Sequence, residues 1–220
     1  MRCLIFDFDG TLADTNAAIV KTYQETFRVM GLPVPTAEQV TPTIGLVSEK
    51  IFPILLPGID PERIEEGVKI NRKLFYEVGV PLITMFEGVT DVLSCLRERG
   101  IRMAIASSRN TPSLEFIVDK LAIRQYFDEI AGAGMVERHK PAPDMALLIC
   151  KDLCIQPGDA MVIGDTVFDL GMGINAGCRT CGVTYGNHSR EKLSGAGPDW
   201  LIDDFSELIE IVETWTGENS

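Results

Sequence analysis

The sequence lacks any apolar run of about 20 residues, the length needed to span a bilayer. It does not open with a basic segment followed by a cleavable apolar one. Basic residues are also scarce, because 20 Lys and Arg stand against 32 Asp and Glu, for a formal net charge of -12 at pH 7. A chain this acidic does not have the basic surface typical of nucleic-acid-binding proteins. We therefore expect a cytoplasmic protein that binds neither nucleic acid nor a membrane.

The six cysteines do not form a complete zinc-binding pattern. Cys178 and Cys181 have the spacing of half a zinc site or of a redox pair. The only other closely spaced pair, Cys150 and Cys154, lies on a predicted helix. Because disulfides are rare in the cytoplasm, we interpret the cysteines as reduced thiols. Cys178 and Cys181 are then small buried side chains that flank a strand.

Apolar patterning divides the chain into a helical part and an α/β part. Residues 16–80 carry helical signals and no convincing strand, whereas short apolar runs alternate with helical patterns further along. Such alternation is typical of a parallel sheet covered by helices on both faces. We predict a doubly wound (Rossmann-like) parallel-sheet core, residues 1–14 and 84–220, interrupted by an inserted helical domain at 15–83. The predicted strands lie at 2–8, 101–107, 128–131, 160–164, 180–184 and 199–202.

Acidic, hydroxyl and basic side chains follow several of these predicted strands. In doubly wound sheets, ligands bind beyond the carboxyl ends of the strands. We therefore expect these side chains to converge on one edge of the sheet. They are Asp7, Asp9, Ser107, Lys140, Asp165 and Asp169.

The chemistry of this set indicates a metal and a phosphate. Four neighbouring carboxylates cannot all stay ionised without a cation. Oxygen ligands favour a hard ion, and Mg2+ also keeps waters and phosphate oxygens in its shell. Lysine and hydroxyl donors are suited to holding phosphate. The residues therefore predict a Mg2+-assisted phosphoryl-transfer site in which one aspartate is free to act as nucleophile.

Four segments at these positions resemble the motifs of the haloacid dehalogenase-like hydrolase superfamily. In the family's order they are DFDGTLADT from Asp7, the strand end at Ser107, Lys140 followed by PAPD, and GDTVFD around Asp165. True dehalogenases lack a second aspartate like Asp9, because a halide needs no proton on leaving. P-type ATPases carry a threonine there. The resemblance therefore implies a phosphatase or a phosphomutase.

The resemblance also implies a role for each residue. Asp7 would attack phosphorus to give an aspartyl-phosphate. Asp9 would protonate the leaving-group oxygen and then deprotonate the hydrolytic water. Ser107 and Lys140 would hold the phosphoryl group, and Lys140 would also offset the charge of Asp7. Asp165 would bind Mg2+ together with Asp7 and the backbone carbonyl of Asp9.

Other residues have less defined roles. Asp169 would either bind the metal through a water or support the residues that bind it. Gly10 and Thr11 would either form an ordinary turn or offer backbone N–H groups to phosphate. In the insert, residues that could face the substrate or merely shape a helix–loop junction are Thr43, Gly45 and Lys50.

The helical insert would be a cap that closes over the site and supplies specificity. Its length and pattern resemble the phosphoglycolate phosphatase-type subgroup. We therefore expect a Mg2+-dependent phosphatase that acts on a small phosphorylated metabolite, with phosphoglycolate as the best single name. A hexose-phosphate mutase or a pyrophosphatase of the same superfamily stays open. A receiver-like phosphoacceptor module, which is a switch rather than a turnover enzyme, is the non-enzyme alternative.

Overall fold

Most strands of the protein belong to one parallel sheet. The computed structural model describes residues 2–217. Its strands are β1 (Cys3–Phe6), β2 (Ala13–Asp14), β3 (Thr84–Met85), β4 (Arg102–Ala106), β5 (Glu129–Ala131), β6 (Ala160–Gly164), β7 (Arg179–Val183) and β8 (Trp200–Ile202). Six of them form a sheet in the order β5-β4-β1-β6-β7-β8, and every neighbouring pair is parallel. The predicted doubly wound α/β fold is confirmed.

Helices fill the connections between the strands. They are α1 (Asn16–Val29), α2 (Ala37–Val40), α3 (Ser48–Leu55), α4 (Pro61–Leu74), α5 (Val89–Glu98), α6 (Thr111–Lys120), α7 (Asp144–Asp152), α8 (Val167–Ala176), α9 (Arg190–Gly195) and α10 (Leu208–Gly217). Between residues 2 and 217 no helix is both long and apolar enough to cross a bilayer.

The sheet is buried on both faces, as the composition of β1 shows. Successive side chains of a strand point to opposite faces. Leu4 and Phe6 pack in a core layer with α5, α6 and α10, whereas Cys3 and Ile5 pack in a second layer with α7 and α8. Burial of each large side chain contributes roughly 1.5–3 kcal/mol relative to exposure. An unbroken apolar run is therefore what a central parallel strand requires.

The cysteines follow the same division between layers. Cys178 lies in the layer beneath α7 and α8, and Cys181 lies in the opposite one. All six cysteines are free. The interpretation of Cys178 and Cys181 as buried side chains beside a strand agrees with this placement.

The segment from α1 to α4 has a small core of its own. The rings of Phe27 and Phe52 stack with centroids 5.5 Å apart and an interplanar angle of 6°. Tyr23 meets Phe52 edge-on at 5.7 Å. A Cβ at Gly67 in α4 would lie 2.5 Å from the Phe52 ring, so that glycine lets α4 approach closely. We refer to residues 16–82 as the helical segment.

The two ends of the helical segment are held together by β2 and β3. These strands pair antiparallel, with Ala13 opposite Met85 and Asp14 opposite Thr84. Two-residue strands are too short to show an alternation of apolar and polar residues, and the sequence therefore predicted no strand here. The ribbon brings the chain back beside β1 before it continues into the sheet.

Three strands of the sheet end side by side. Phe6 of β1 is in register with Ile105 of β4 and with Ile163 of β6. The residues that follow these strands therefore meet at one edge, as expected from the sequence.

Candidate active site

Three buried aspartates lie at this edge of the sheet. Asp7 follows β1, Asp165 follows β6, and Asp169 lies in the first turn of α8. One carboxylate oxygen of each lies within 4.8 Å of the others. Across the described residues, no other group of three or more His, Cys, Asp or Glu side chains is close enough to hold one metal ion.

Lys140 is buried against two of these aspartates. Its Nζ donates to Asp7 Oδ1 at 2.6 Å, to Asp169 Oδ1 at 2.5 Å and to the backbone oxygen of Ala106 at 2.8 Å. Burial alone would lower the pKa of Lys140, but Asp169 and Asp7 outweigh that effect and raise it. The ammonium group therefore stays charged and uses all three of its donors.

Asp165 is fixed by donors from two loops. Its Oδ2 accepts from the backbone N–H of Asn187 at 2.6 Å and from the Asn187 side-chain amide at 2.8 Å. The hydroxyl of Thr11 donates to Oδ1 at 3.3 Å. Burial, reinforced by the charge of Asp169, raises the pKa of Asp165 to about 7.

The cluster carries more negative charge than its lysine can balance. Burial raises the pKa of Asp7 well above its ordinary value, Asp169 adds to the rise, and Lys140 opposes it. When they are ionised, Asp7, Asp165 and Asp169 carry three negative charges against one ammonium. The formal excess of two negative charges matches a divalent cation, and the carboxylate oxygens are the ligands that Mg2+ prefers.

Asp169 supports the cluster and starts α8. Its Oδ2 accepts from the backbone N–H of Thr166 at 3.0 Å and from the Thr166 hydroxyl at 2.5 Å, which completes a capping box. Its Oδ1 accepts from Lys140. Both carboxylate oxygens therefore have donors, an arrangement suited to holding Lys140 and the Thr166 loop in place.

Asp9 lies apart from the aspartate cluster and pairs with Arg109. The Nη2 of Arg109 donates to Asp9 Oδ1, and its Nε donates to Oδ2 at 3.3 Å. On its other side, the guanidinium carbon lies 4.3 Å from the centroid of the Phe75 ring. Arg109 therefore connects the sheet edge to the helical segment, and it occupies both oxygens of Asp9.

A cavity of about 770 Å³ lies between the sheet edge and the helical segment. Asp7, Asp9 and Arg109 line it from the sheet side, and Gly45 and Phe75 line it from the helical segment. Asp7 Oδ2 accepts no hydrogen bond from any residue between 2 and 217, whereas Oδ1 is bound to Lys140. One oxygen of Asp7 is therefore available to a bound molecule.

The sequence profile described as haloacid dehalogenase-like hydrolase matches residues 4–183. The chain belongs to this family. The probable phosphatase IndB of Dickeya dadantii is 34% identical over 94% of this chain and 91% of its own. The pyrophosphatase PpaX of Bacillus velezensis is 29% identical over 96% of each chain. The phosphoglycolate phosphatase of Salmonella typhimurium is 28% identical over 95% of this chain and 91% of its own.

The architecture of this hydrolase is shared with solved structures. A haloacid dehalogenase-like family hydrolase from Streptococcus pneumoniae superposes with a TM-score of 0.86 at 25% identity. The match covers 96% of this chain and 98% of that one. The resemblance inferred from four short motifs is confirmed.

The hydrolase uses Gly10 and Thr11 to build the turn after β1, which is the first of the two roles expected for them. The N–H of Gly10 donates to Ala13 O at 2.9 Å, and the N–H of Thr11 donates to Phe8 O at 3.4 Å. Neither N–H is free for phosphate. Among the described residues, the N–H groups of Phe8 and Asp9 have no acceptor, so they are the turn donors available to a phosphoryl group.

Gly10 is required in this turn for its conformation. Its φ is +90°, and a Cβ there would lie 2.3 Å from Asp165 Oδ2. Any larger residue would collide with the aspartate cluster.

Ser107 is fully buried beside the cluster, at the end of β4. Its Oγ accepts from the N–H of Arg109 at 3.1 Å. The hydroxyl proton finds no acceptor in the described chain, so it stays available as a donor. Ser108, which the sequence did not mark as a site residue, lines the cavity itself.

Only one of the three residues singled out in the helical segment reaches the cavity. Gly45 lines it, and its φ of +97° places the backbone close to Thr166, whose Cγ2 would be 3.2 Å from an added Cβ. Thr43 is buried and donates to Val40 O at 2.7 Å. Lys50 is exposed on α3. The expectation that Thr43 and Lys50 face a substrate is therefore corrected, because neither lines the cavity.

Several residues of the site were not identified from the sequence. Arg109 is the most important of them. The only indication of it in the sequence was the presence of a basic residue two positions after Ser107, at the end of a predicted strand. Asn187 and Tyr185 belong to the loop after β7, which ends at the same sheet edge. The Tyr185 hydroxyl donates to Thr11 O at 2.8 Å and helps to fix the turn that holds Asp165.

Proposed function

We propose that this phosphatase hydrolyses small phosphomonoesters through an aspartyl-phosphate on Asp7, with Mg2+ as its cofactor and 2-phosphoglycolate as the first substrate to test. The observation that carries the proposal is the placement of Asp7 at the cavity. One carboxylate oxygen is bound to Lys140, and the other accepts from no residue in the described part of the chain. The relative named phosphoglycolate phosphatase supports this choice of substrate.

The residues present fit Mg2+. The aspartate cluster has only oxygen ligands and an excess of two negative charges. Asp7 and Asp165 would hold the ion together with the backbone carbonyl of Asp9, while Asp169 would hold Lys140. When bound, the ion would neutralise charge on the phosphoryl oxygens and act as a Lewis acid.

The reaction would proceed in two displacements. The free oxygen of Asp7 bonds to phosphorus as the bond to the leaving oxygen breaks, and Asp9 gives that oxygen a proton. Water then attacks the aspartyl-phosphate while Asp9 takes up its proton, which releases inorganic phosphate and regenerates Asp7. The N–H groups of Phe8 and Asp9 and the hydroxyl of Ser107 would hold the phosphoryl oxygens.

We assign residues 15–83, which contain the helical segment, the role of a cap over residues 1–14 and 84–220. The β2–β3 ribbon would be its hinge, and Phe75 would contribute to closure by packing on Arg109. A cap that excludes water strengthens the electrostatic contacts inside the site. A small phosphorylated metabolite of the cytoplasm would fit beneath it.

A substrate panel tests the proposal. Phosphate release would be measured from 2-phosphoglycolate, pyrophosphate, glucose 1-phosphate and p-nitrophenyl phosphate, with Mg2+ and with EDTA. Sustained Mg2+-dependent release that is greatest for 2-phosphoglycolate supports it. Dominant turnover of pyrophosphate, the chemistry named for the Bacillus velezensis relative, would replace the substrate assignment. A single stoichiometric phosphorylation without turnover would contradict the enzyme mechanism.

A further inference from the structure

We propose that the cavity contains a second anion subsite, formed by Arg109 and the first turn of α6, which binds a carboxylate or second phosphate group of the substrate. This inference rests on the proposed function and narrows its substrate class. The preferred molecule would be a small phosphomonoester with another anionic group close to the ester.

Arg109 is the first component of the subsite. Its side chain is only 9% exposed, it lines the cavity, and Phe75 covers one face of the guanidinium. Its Nε and Nη2 are bound to Asp9. None of the described residues accepts a hydrogen bond from Nη1, which leaves two donors. A planar guanidinium in this state is suited to a carboxylate or phosphate.

Ser113 is the second, independent component. It lies in the first turn of α6, is 3% exposed and lines the same cavity. Its Oγ is buried and has no hydrogen-bond partner among residues 2–217. The hydroxyl of Thr111, in the same turn, is also buried without a partner. Buried polar groups normally have partners, so these two hydroxyls indicate a ligand that supplies the missing acceptor.

The charge distribution of the cavity favours this position for an anion. α6 has 10 residues, and the positive end of its dipole attracts negative charge, although Pro112 has no N–H and the Ser113 N–H already donates to Asn110 Oδ1. Arg72 also lines the cavity, but its Nη2 already pairs with Glu49 at 3.3 Å. Arg109 is therefore the cavity arginine with donors to spare, and it lines the same cavity as the unpartnered hydroxyls.

Occupation of the subsite would also weaken the pairing of Asp9 with Arg109. In the structure both oxygens of Asp9 accept from Nε and Nη2 of Arg109, and this pairing competes with a leaving group for Asp9. A substrate anion bound to Nη1 would share the positive charge of the guanidinium with Asp9 and so loosen the pair. Phosphomonoesters with a second anionic group would therefore free Asp9 to a greater extent than neutral ones do.

Steady-state kinetics test the subsite through substrate preference. The assay compares kcat/KM for 2-phosphoglycolate with that for 2-hydroxyethyl phosphate, a neutral analogue of similar size. Arg109→Gln should lower the preference for phosphoglycolate by about tenfold or more. Without the guanidinium, the site can no longer distinguish an ester with a second anionic group from one without it. Ser113→Ala should raise KM for phosphoglycolate more than it lowers kcat.

Arg72→Gln is the matched control. It removes an arginine from the same cavity, and the preference should change by less than about twofold, because an exposed ion pair contributes little. An equal loss for both esters in Arg109→Gln would overturn the subsite and leave Arg109 only a positioning role for Asp9. If Arg72→Gln lowers the preference for phosphoglycolate as much as Arg109→Gln does, the subsite is also overturned. The preference would then come from the overall positive charge of the cavity.

Binding without turnover separates the subsite from the proposed function. Calorimetry would compare 3-phosphonopropionate and methylenediphosphonate with propylphosphonate, which lacks the second anion. Tighter binding of the first compound assigns the subsite to carboxylates, and tighter binding of the second assigns it to phosphates. Either preference should be lost in Arg109→Gln. If no phosphate ester is hydrolysed but the binding preference persists, the proposed phosphatase function is wrong and the subsite is supported. Equal binding of the three phosphonates would overturn the subsite.

Discussion

Replacing Lys140 by methionine should strongly destabilise the metal-free enzyme. Between residues 2 and 217, Lys140 is the only cation bonded to the cluster of Asp7, Asp165 and Asp169, and its removal leaves Asp7 and Asp169 without their shared donor. Breaking a buried charge pair from one side costs about 3–5 kcal/mol. For a chain of this size, that corresponds to a fall in Tm of roughly 6–20 °C.

The loss should depend on pH in a defined direction. When the pKa of a carboxyl group is higher in the folded state, folding is accompanied by proton uptake. The free energy of unfolding therefore falls as pH rises through the folded-state pKa. For Asp165, whose pKa rises from 3.8 to about 7, this corresponds to roughly 4 kcal/mol between those pH values. Lys140 lowers the pKa of Asp7, so removal of Lys140 should raise that pKa further. The free energy of unfolding should then fall more steeply with rising pH.

The assay is denaturant unfolding in EDTA at pH 5 and at pH 8. The deficit of Lys140→Met relative to wild type should be larger at pH 8. Lys151→Met, at an exposed position on α7, is the matched control and should stay within about 0.5 kcal/mol. A deficit for Lys140→Met below about 1 kcal/mol, or one equal at both pH values, would refute the argument from buried charge.

Three other substitutions test single residues of the site. Asp7→Asn should abolish phosphate release without lowering Tm in EDTA, because it removes the nucleophile and a buried charge together; near-normal turnover would contradict the mechanism. Asp9→Asn should slow alkyl phosphates by about 10²–10⁴-fold but p-nitrophenyl phosphate less, since nitrophenolate needs no proton. Equal losses on the two esters would remove the proton-donor role. Gly186→Ala should cost about 1–3 kcal/mol and weaken the rise in Tm caused by Mg2+, because its Cβ would lie 2.3 Å from Asp165 Cβ.

Gly195→Ala is the control for Gly186→Ala. No atom lies within 4 Å of a Cβ added at Gly195, which ends α9. Its thermal stability and its response to Mg2+ should therefore stay close to those of the wild type. If the two variants respond alike to Mg2+, the collision with Asp165 has no bearing on the metal site.

The sheet and its polar edge were predictable because they rest on local patterns. β6, for example, reads as an unbroken apolar run bounded by a turn before it and an aspartate after it. The positions after three such strands were enough to bring Asp7, Ser107 and Asp165 together, since parallel strands end at a shared edge. The order of the strands was not predicted, because it depends on crossovers that leave no local period.

The unpredicted parts of the site depend on contacts that are distant in sequence or internal to a turn. Arg109 meets Asp9 across 100 residues, and nothing near either residue marks the pair. The hydrogen bonds that occupy Gly10 and Thr11 close the turn after β1, so glycine and threonine there did not indicate free N–H groups. Thr43 and Lys50 lie in a segment whose helices were predicted but whose facing surfaces were not.

The central position of β1 has a consequence for synthesis on the ribosome. β1 emerges before both of its partner strands, because Phe6 pairs with Ile105 and Ile163. At roughly 5–20 residues per second, the second partner follows about 8–30 s later. The small core of the helical segment, from Tyr23 to Val68, lies within its own residues and has been synthesised long before then. We therefore expect the order of folding to run against the order of the chain, with the nascent helices packed first and the apolar first strand unpaired until the later strands arrive.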